Sequence, residues 1–370
     1  MIAYAKHLPT GATPASDTRT WGVEAAGRWR AARTPVVFAP CAGSWALGVL
    51  VAVSLVLILR NEAPVRPVGT AWRAYPAAVL LVALPLWYRY LPGAAAVSAA
   101  LLAVESAVAF PGLPASDAAG RTGLALVCLM SLWALAGALL RLRARRRQAR
   151  LALAAAGPAR FPMPQWLPTG HDRRGNARIL SGGSLCLLAA GVLLDGILGD
   201  LGGEAPYDAV GQQRVALALL VVGSTLLARG WTADAAARRL HGAPQPALVV
   251  GVRMAPSGHF WLHPDADTPA GRPLIAYRLR RQDRQGGGRL LARGPEGRFA
   301  RGLHDIDARA EPFEAVLYGA PRDGAEIVIE YAVHDGSGMT AAVVAAPLLP
   351  RRRHGLGPWT PAGVSYRETP

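Results

Sequence analysis

Charge is scarce in this sequence. Asp, Glu, Lys and Arg make up 17% of its 370 residues while 52% are hydrophobic, against a charged share of about 25% in an average soluble domain. That balance argues against a fully soluble protein. Lysine is scarcer still: Lys6 stands alone among 40 cations, the rest being arginine. Together with the abundance of Ala, Gly and Pro, this bias reads as GC-rich coding. Cysteine is limited to Cys41, Cys128 and Cys186, all in or beside apolar runs. They read as small hydrophobes, and no disulfide framework or redox motif follows from them.

Catalytic signatures are missing as well. There is no nucleophile elbow, no His-Glu-x-x-His, no paired Cys-x-x-Cys and no dinucleotide fingerprint. The triple glycine at 286–288 lacks the lysine and Ser/Thr of a phosphate loop and reads as turn material. The sequence therefore leans away from an enzyme, and no cofactor or metal is expected. The first 37 residues hold no short apolar core ahead of a cleavage site, so they do not read as a signal peptide. At Cys41 the apolar stretch follows the cysteine instead of preceding it, which argues against a lipoprotein anchor.

Long apolar runs are what the chain has in quantity. A membrane-crossing helix needs about 20 mainly apolar residues, because only a helix satisfies its own backbone groups in hydrocarbon. Residues 38–59 meet this without a charge. The stretch 74–110 is too long for one span and is interrupted by Arg89, Pro92 and Gly93, giving spans at 74–91 and 93–110. Further spans fall at 122–140, 179–201 and 209–228, the last two joined by a short acidic loop with Glu204 and Asp208. Trp72 and Tyr75 at one end of the second span, and Trp87, Tyr88 and Tyr90 at the other, supply aromatic belts.

The net charge of +16 is unevenly spread: residues 1–240 carry 24 cations and 11 acids, whereas 241–370 carry 16 and 13. An excess set among apolar runs is the pattern of membrane topology, and a nucleic-acid partner is not expected. With the N-terminus inside, the cytoplasmic segments hold 19 cations and the outer ones five. Both termini are thus expected in the cytoplasm, at a bacterial inner membrane.

From about Pro246 the texture changes to short β-branched and aromatic runs punctuated by Gly, Pro and Asp. Strands are expected at 247–254, 259–263, 273–281, 290–293, 313–318, 325–333 and 339–346. The fold class is therefore a multi-pass α-helical membrane protein of about six spans with a C-terminal all-β domain, a sandwich or a barrel. Its expected order is an N-terminal segment (1–37), four spans (38–140), a basic helix and loop (141–178), two spans (179–230), a linker (231–245), the β-rich domain (246–349) and a loose tail (350–370).

Candidate site residues fall into two groups. Arg141, Arg143, Arg145, Arg146, Arg147 and Arg150 sit in a helix-favouring Leu/Ala background, so the fourth span should run on to about Ala156 with its basic end among anionic headgroups. Glu105, Asp195 and Arg214 lie inside spans, where ionisable groups are costly and mark function or pairing. The matching depths of Asp195 and Arg214 on adjacent antiparallel helices predict an ion pair between them. His259 and His263 lie on an expected strand, about 13 Å apart at ~3.3 Å per residue, too far for one ion. Asp265, Asp267, Asp305 and Asp307 read as turn residues. The favoured function is a non-catalytic membrane protein anchoring a cytoplasmic β domain that binds a protein partner or assists assembly. The alternatives are a small-solute or ion transporter using Glu105, Asp195 and Arg214, and a membrane enzyme acting on lipid-linked substrates.

Overall fold

The computed structural model describes residues 3–8, 18–60, 72–164, 167–168, 171, 173–202, 209–269, 272–278, 284–286, 305–334, 339–349, 355–357 and 359. Two short strands, β1 (Ala3–Ala5) and β2 (Arg19–Thr20), and helix α1 (Val23–Ala31) come first. Six long helices follow: α2 (Pro40–Leu59), α3 (Tyr75–Tyr90), α4 (Pro92–Ala109), α5 (Ala118–Ala156), α6 (Asn176–Gly202) and α7 (Val210–His241). The remaining strands are β3 (Ala247–Met254), β4 (Phe260–His263), β5 (Ile275–Tyr277), β6 (Arg284–Gly286), β7 (Asp305–Ile306), β8 (Phe313–Tyr318), β9 (Glu326–His334) and β10 (Met339–Leu349). The chain divides into two compact units: Thr34–Arg143 with Gly175–Thr232, and Met1–Arg33 with Ala144–Arg174 and Ala233–Pro370.

In the first unit, α2, α3 and α4 each carry a proline in the first turn, where its missing N–H takes nothing from the helix. Five helices, α2, α4, α5, α6 and α7, are long and apolar enough to cross a membrane. At 16 residues α3 is shorter. Helices α2 to α5 share a core that includes Leu47, Val51, Leu84, Tyr88, Leu102, Val127 and Met130. Tyr88 stacks on Trp133 with ring centroids 5.6 Å apart, and its hydroxyl donates to the Phe38 carbonyl at 3.1 Å.

The α6–α7 hairpin packs differently. Its buried positions on α6 are Gly182, Ala189 and Gly196, and those on and just before α7 include Ala209, Ala216, Gly223 and Gly230, two series of small residues each at every seventh position, with Val221 and Thr225 buried beside the second. A Cβ at Gly182 would lie 2.7 Å from the Gly223 carbonyl oxygen, and one at Gly230 would lie 2.8 Å from the Ile179 nitrogen. Backbones that close need small residues at the seam, and a seven-residue period keeps the seam facing its partner as in a left-handed coiled coil.

The second unit is built on a closed barrel. Its six strands follow the ring β3-β4-β5-β10-β9-β8 and back to β3, every pair antiparallel. Of the two architectures expected, sandwich and barrel, the barrel is the one found. The register pairs Val250 with Ala315 and Val344 with Ile329. Leu248, Val250 and Val252 on β3, Phe313, Ala315 and Leu317 on β8, and Ile327, Ile329 and Tyr331 on β9 point inward at the period of two that a strand imposes. A barrel this small is filled by its own side chains. The alternate residues Val316, Tyr318, Val328, Val343 and Ala345 form a second apolar cluster with Leu240, Phe161 and Met163. Strands β8 to β10 are thus buried on both faces, and for that reason Met339–Leu349 reads as a continuous apolar run without alternation.

Chain segments remote in sequence complete this unit. Strand β1 pairs with β9 and β7, and β2 runs parallel to β3. Trp21, Trp29 and Ala26 join the interior cluster with Ala152 and Ala156 of α5, and the Trp29 indole donates to the Pro321 carbonyl at 2.9 Å. Near the other terminus Leu356 packs on the cluster of Trp261, Ala255 and Ala276, and Arg253 donates to the Gly357 carbonyl at 2.9 Å. The strand expected at 290–293 and the glycines at 287 and 288 lie outside the described residues.

Candidate functional site

Helix α5 runs without interruption from Ala118 to Ala156, the end point expected from its composition. Its arginines separate by face. Arg141 is buried, donates to the carbonyls of Tyr88 and Arg89, and lies 5.2 Å over the Tyr88 ring. It therefore caps the C-terminal end of α3, where unsatisfied carbonyls and the helix dipole favour a cation. Arg145 lies beside the turn at Gly324, and the neighbouring Gln148 side chain accepts the Asp323 N–H at 3.1 Å. Arg143, Arg146, Arg147 and Arg150 are exposed. Their spacing of three, one and three residues sets four guanidinium groups along one side of a helix.

The three charges expected within spans form no ion pair with one another among the described residues. Glu105 on α4, Asp195 on α6 and Arg214 on α7 are each exposed at the surface of the helical unit. Among the described residues Asp195 and Arg214 form no ion pair, and the expectation of one is corrected by helix geometry. The hairpin seam runs through Gly196, whose added Cβ would lie 3.3 Å from the Cβ of Ala209, and through Ala209 and Ala216. At about 100° per residue, Asp195 is swung off that seam, and Arg214, two residues before Ala216, faces away from it. Matching depth is not enough without matching azimuth. Asp200 is the acid that finds a partner, accepting the Trp72 indole N–H at 2.9 Å, while the Tyr75 hydroxyl donates to the Gln213 carbonyl at 3.1 Å.

On the barrel, His263 is buried in β4 and His259 stands outside it, 3.1 Å from the Ser257 hydroxyl. Asp265 does what a turn residue should: its carboxylate accepts the N–H groups of Asp267 at 2.9 Å and Thr268 at 2.6 Å. Asp307 likewise accepts the Arg309 N–H at 2.9 Å.

Sequence reasoning missed a buried and fully engaged cation. Lys6 is buried, and its ammonium donates to the carbonyls of Ala266 at 2.8 Å and Pro312 at 2.9 Å and to the Glu311 carboxylate at 3.0 Å. Three acceptors around one tetrahedral nitrogen suit an ammonium and not a planar guanidinium. The signal was present in the sequence as one lysine among 40 cations. Beside it, His7 lies 3.5 Å from Glu314 and 3.6 Å from Asp267. The side-chain hydrogen bond with Glu314 holds the His7 imidazole above its usual pKa, against the opposing effect of burial. A further group belongs to the same unit: His171 is buried with its Nδ1 2.7 Å from His241 Nε2, and Arg174 pairs with Glu326 at 2.8 Å.

No family model matches this chain, and no curated protein or solved structure is significantly similar to it.

Proposed function

We propose that this is a non-catalytic bacterial inner-membrane protein whose helices anchor a cytoplasmic barrel that binds a protein partner or assists assembly of a membrane complex. The observation that carries the reading is the make-up of the barrel unit. It draws on three separate stretches, the one before α2, the one from the last part of α5 to Arg174 and the one from the end of α7 onward, tied to the barrel by β1 on β9, by Gln148 on Asp323 and by the continuation of α7 into β3. Stretches folded into one unit share one side of a membrane. The chain must then cross an even number of times between residues 34 and 143 and again between 175 and 232. Five spans break that parity and six satisfy it, so α3 crosses although it measures only about 24 Å at 1.5 Å per residue against ~30 Å of hydrocarbon. Its flanking Trp72, Tyr75, Trp87 and Tyr90 fit the interface, and the excess of cations assigns the barrel to the cytoplasm. The exposed Arg143, Arg146, Arg147 and Arg150 then lie where anionic headgroups are found.

An interior filled by side chains leaves the barrel its surface to work with, which favours a protein partner over a small ligand. A transporter using Glu105, Asp195 and Arg214 would need them around one polar cavity. Topology is tested by labelling single cysteines with a membrane-impermeant maleimide in a cysteine-free background: position 66 should react from outside, and position 160 only after permeabilisation. Co-purification from native membranes in mild detergent, read by mass spectrometry, tests the activity. A stoichiometric protein partner is expected, and its absence would return weight to transport or lipid chemistry.

A further inference from the structure

The N-terminal segment meets the barrel through three side chains of metal-ligating type drawn from three distant parts of the chain. We propose that His7, Asp267 and Glu314 form a site for one late first-row divalent cation, of which zinc is the natural probe, and that the ion clips the N-terminal segment onto the barrel.

One ligand atom from each residue lies within 4.8 Å of the others. The His7 Nε2 to Asp267 Oδ1 distance is 3.6 Å and the His7 Nδ1 to Glu314 Oε1 distance is 3.5 Å. These two contacts use opposite nitrogens of the ring, and one ion takes only one of them. Ligands about 2.1 Å from a tetrahedral zinc stand roughly 3.4 Å from one another, so the carboxylate facing the other nitrogen must swing toward the ion from a starting set whose ligand atoms lie within 4.8 Å of one another. Two carboxylates balance a dication, and a neutral imidazole adds no charge. One nitrogen with two carboxylates suits zinc, cobalt or nickel better than magnesium or calcium, which prefer all-oxygen shells.

Each ligand is also held by its neighbours. The Glu314 N–H donates to the Lys6 carbonyl at 2.9 Å, and the Leu8 N–H donates to the Glu314 carboxylate at 2.9 Å, so the backbone on both sides of His7 is tied to the strand that presents Glu314. The Lys6 ammonium next to the site is already taken up by Glu311 and two carbonyls. The Asp267 backbone is fixed by the Asp265 carboxylate. Such outer contacts hold ligands ready and set metal affinity. The Asp267 and His7 side chains are 62% and 46% exposed, which leaves room for water in the remaining coordination positions.

The test uses the full-length chain, purified in mild detergent through a tag without histidine and stripped with chelator. Zinc chloride is titrated calorimetrically at pH 7.5, with magnesium and calcium in parallel. We expect one zinc per chain, no comparable binding of magnesium or calcium, an upward shift in unfolding temperature and slower proteolysis of the first residues. His7→Gln and Asp267→Asn should each weaken zinc by more than the ~10–100-fold that loss of an outer contact costs, with the metal-free melting temperature little changed. Two variants at exposed positions guard against a folding failure in either. Absence of zinc binding would reduce the trio to an ordinary ion triad around His7. Binding unchanged in both variants would assign the metal to other side chains, and equal binding of magnesium would refute the ligand chemistry. Each of these outcomes overturns the site without touching the parity argument for six spans.

Discussion

The α6–α7 hairpin and the barrel unit bury opposite kinds of side chain, while α2 to α5 enclose a core that includes Tyr88, Leu84 and Leu47. In the helical unit Leu187, Val108 and Trp45 are 76%, 75% and 74% exposed, while glycine and alanine fill the α6–α7 seam. In the barrel unit Trp21, Trp29, Phe313, Tyr318 and Tyr331 are buried among the largest enclosed side chains of the molecule. The difference reflects two solvents. Water drives bulk inward, since every apolar group removed from it lowers the free energy. Hydrocarbon gives no such reward, so helices meet where small residues let backbones approach and leave their leucines to the lipid.

That contrast can be broken most sharply at charges. Lys6→Met removes the buried ammonium that Glu311, Ala266 and Pro312 share and should cost the barrel unit about 3–5 kcal/mol, read as a lowered unfolding temperature and faster proteolysis. Lys6→Arg should recover only part of this, because a guanidinium cannot place one nitrogen among the same three acceptors. Asp195→Asn on α6 should change thermal stability in detergent by no more than about 0.5 kcal/mol. An effect there as large as that of Lys6→Met would mean that the helical charges are partnered after all, and would revive transport.

A matched pair of leucines gives the next largest difference. Leu317→Ala, inside the barrel, should cost about 2–5 kcal/mol, whereas Leu187→Ala on the outer face of α6 should cost a few tenths. Equal melting shifts would show that Leu187 is covered, either by another helix or by a partner. Within the seam the sign of the size effect reverses. Gly182→Ala adds a methyl group against the backbone of Leu227 and Gly223 and should destabilise the hairpin by about 1–3 kcal/mol, measured as loss of folded yield in detergent.

The smallest effect is expected from pH. In metal-stripped protein the pKa of His7 is raised in the folded state by Glu314, so its protonated form stabilises the fold. That contribution is complete below the unfolded value of about 6.5 and is lost as pH rises through the higher folded value. Between pH 5.5 and 8 the chain should therefore lose slightly more stability than the His7→Gln variant does. The half-exposed position keeps the difference small.

Elements governed by local pattern were legible in the sequence. Apolar length placed most helix ends to within a few residues, with 38–59 read for Pro40–Leu59 and the end of α5 met at Ala156, but it stopped at 228 where α7 runs on to His241 through the stretch read as a linker. Strands β3 and β8 fall at the residues expected, 247–254 and 313–318. Features that failed depend on azimuth or on long-range closure. Asp195 and Arg214 were matched by depth along their helices, which a sequence gives, while the turn of the α6–α7 seam decided where they point. The cradle of Lys6 joins residues 260 to 306 positions apart, a separation at which no spacing rule operates.

Composition and periodicity by themselves determined that this chain is made of membrane-length helices followed by β structure, because apolar length and alternation are properties of neighbouring residues. Tertiary structure alone decided that the β strands close into a ring and that the N-terminal strands pair with two members of that ring, β9 and β3. Each of these rests on which distant segments share an edge, and that is settled by hydrogen bonding between residues far apart in sequence, such as Val252 with Phe313, Leu348 with Tyr277 and Ala3 with His334.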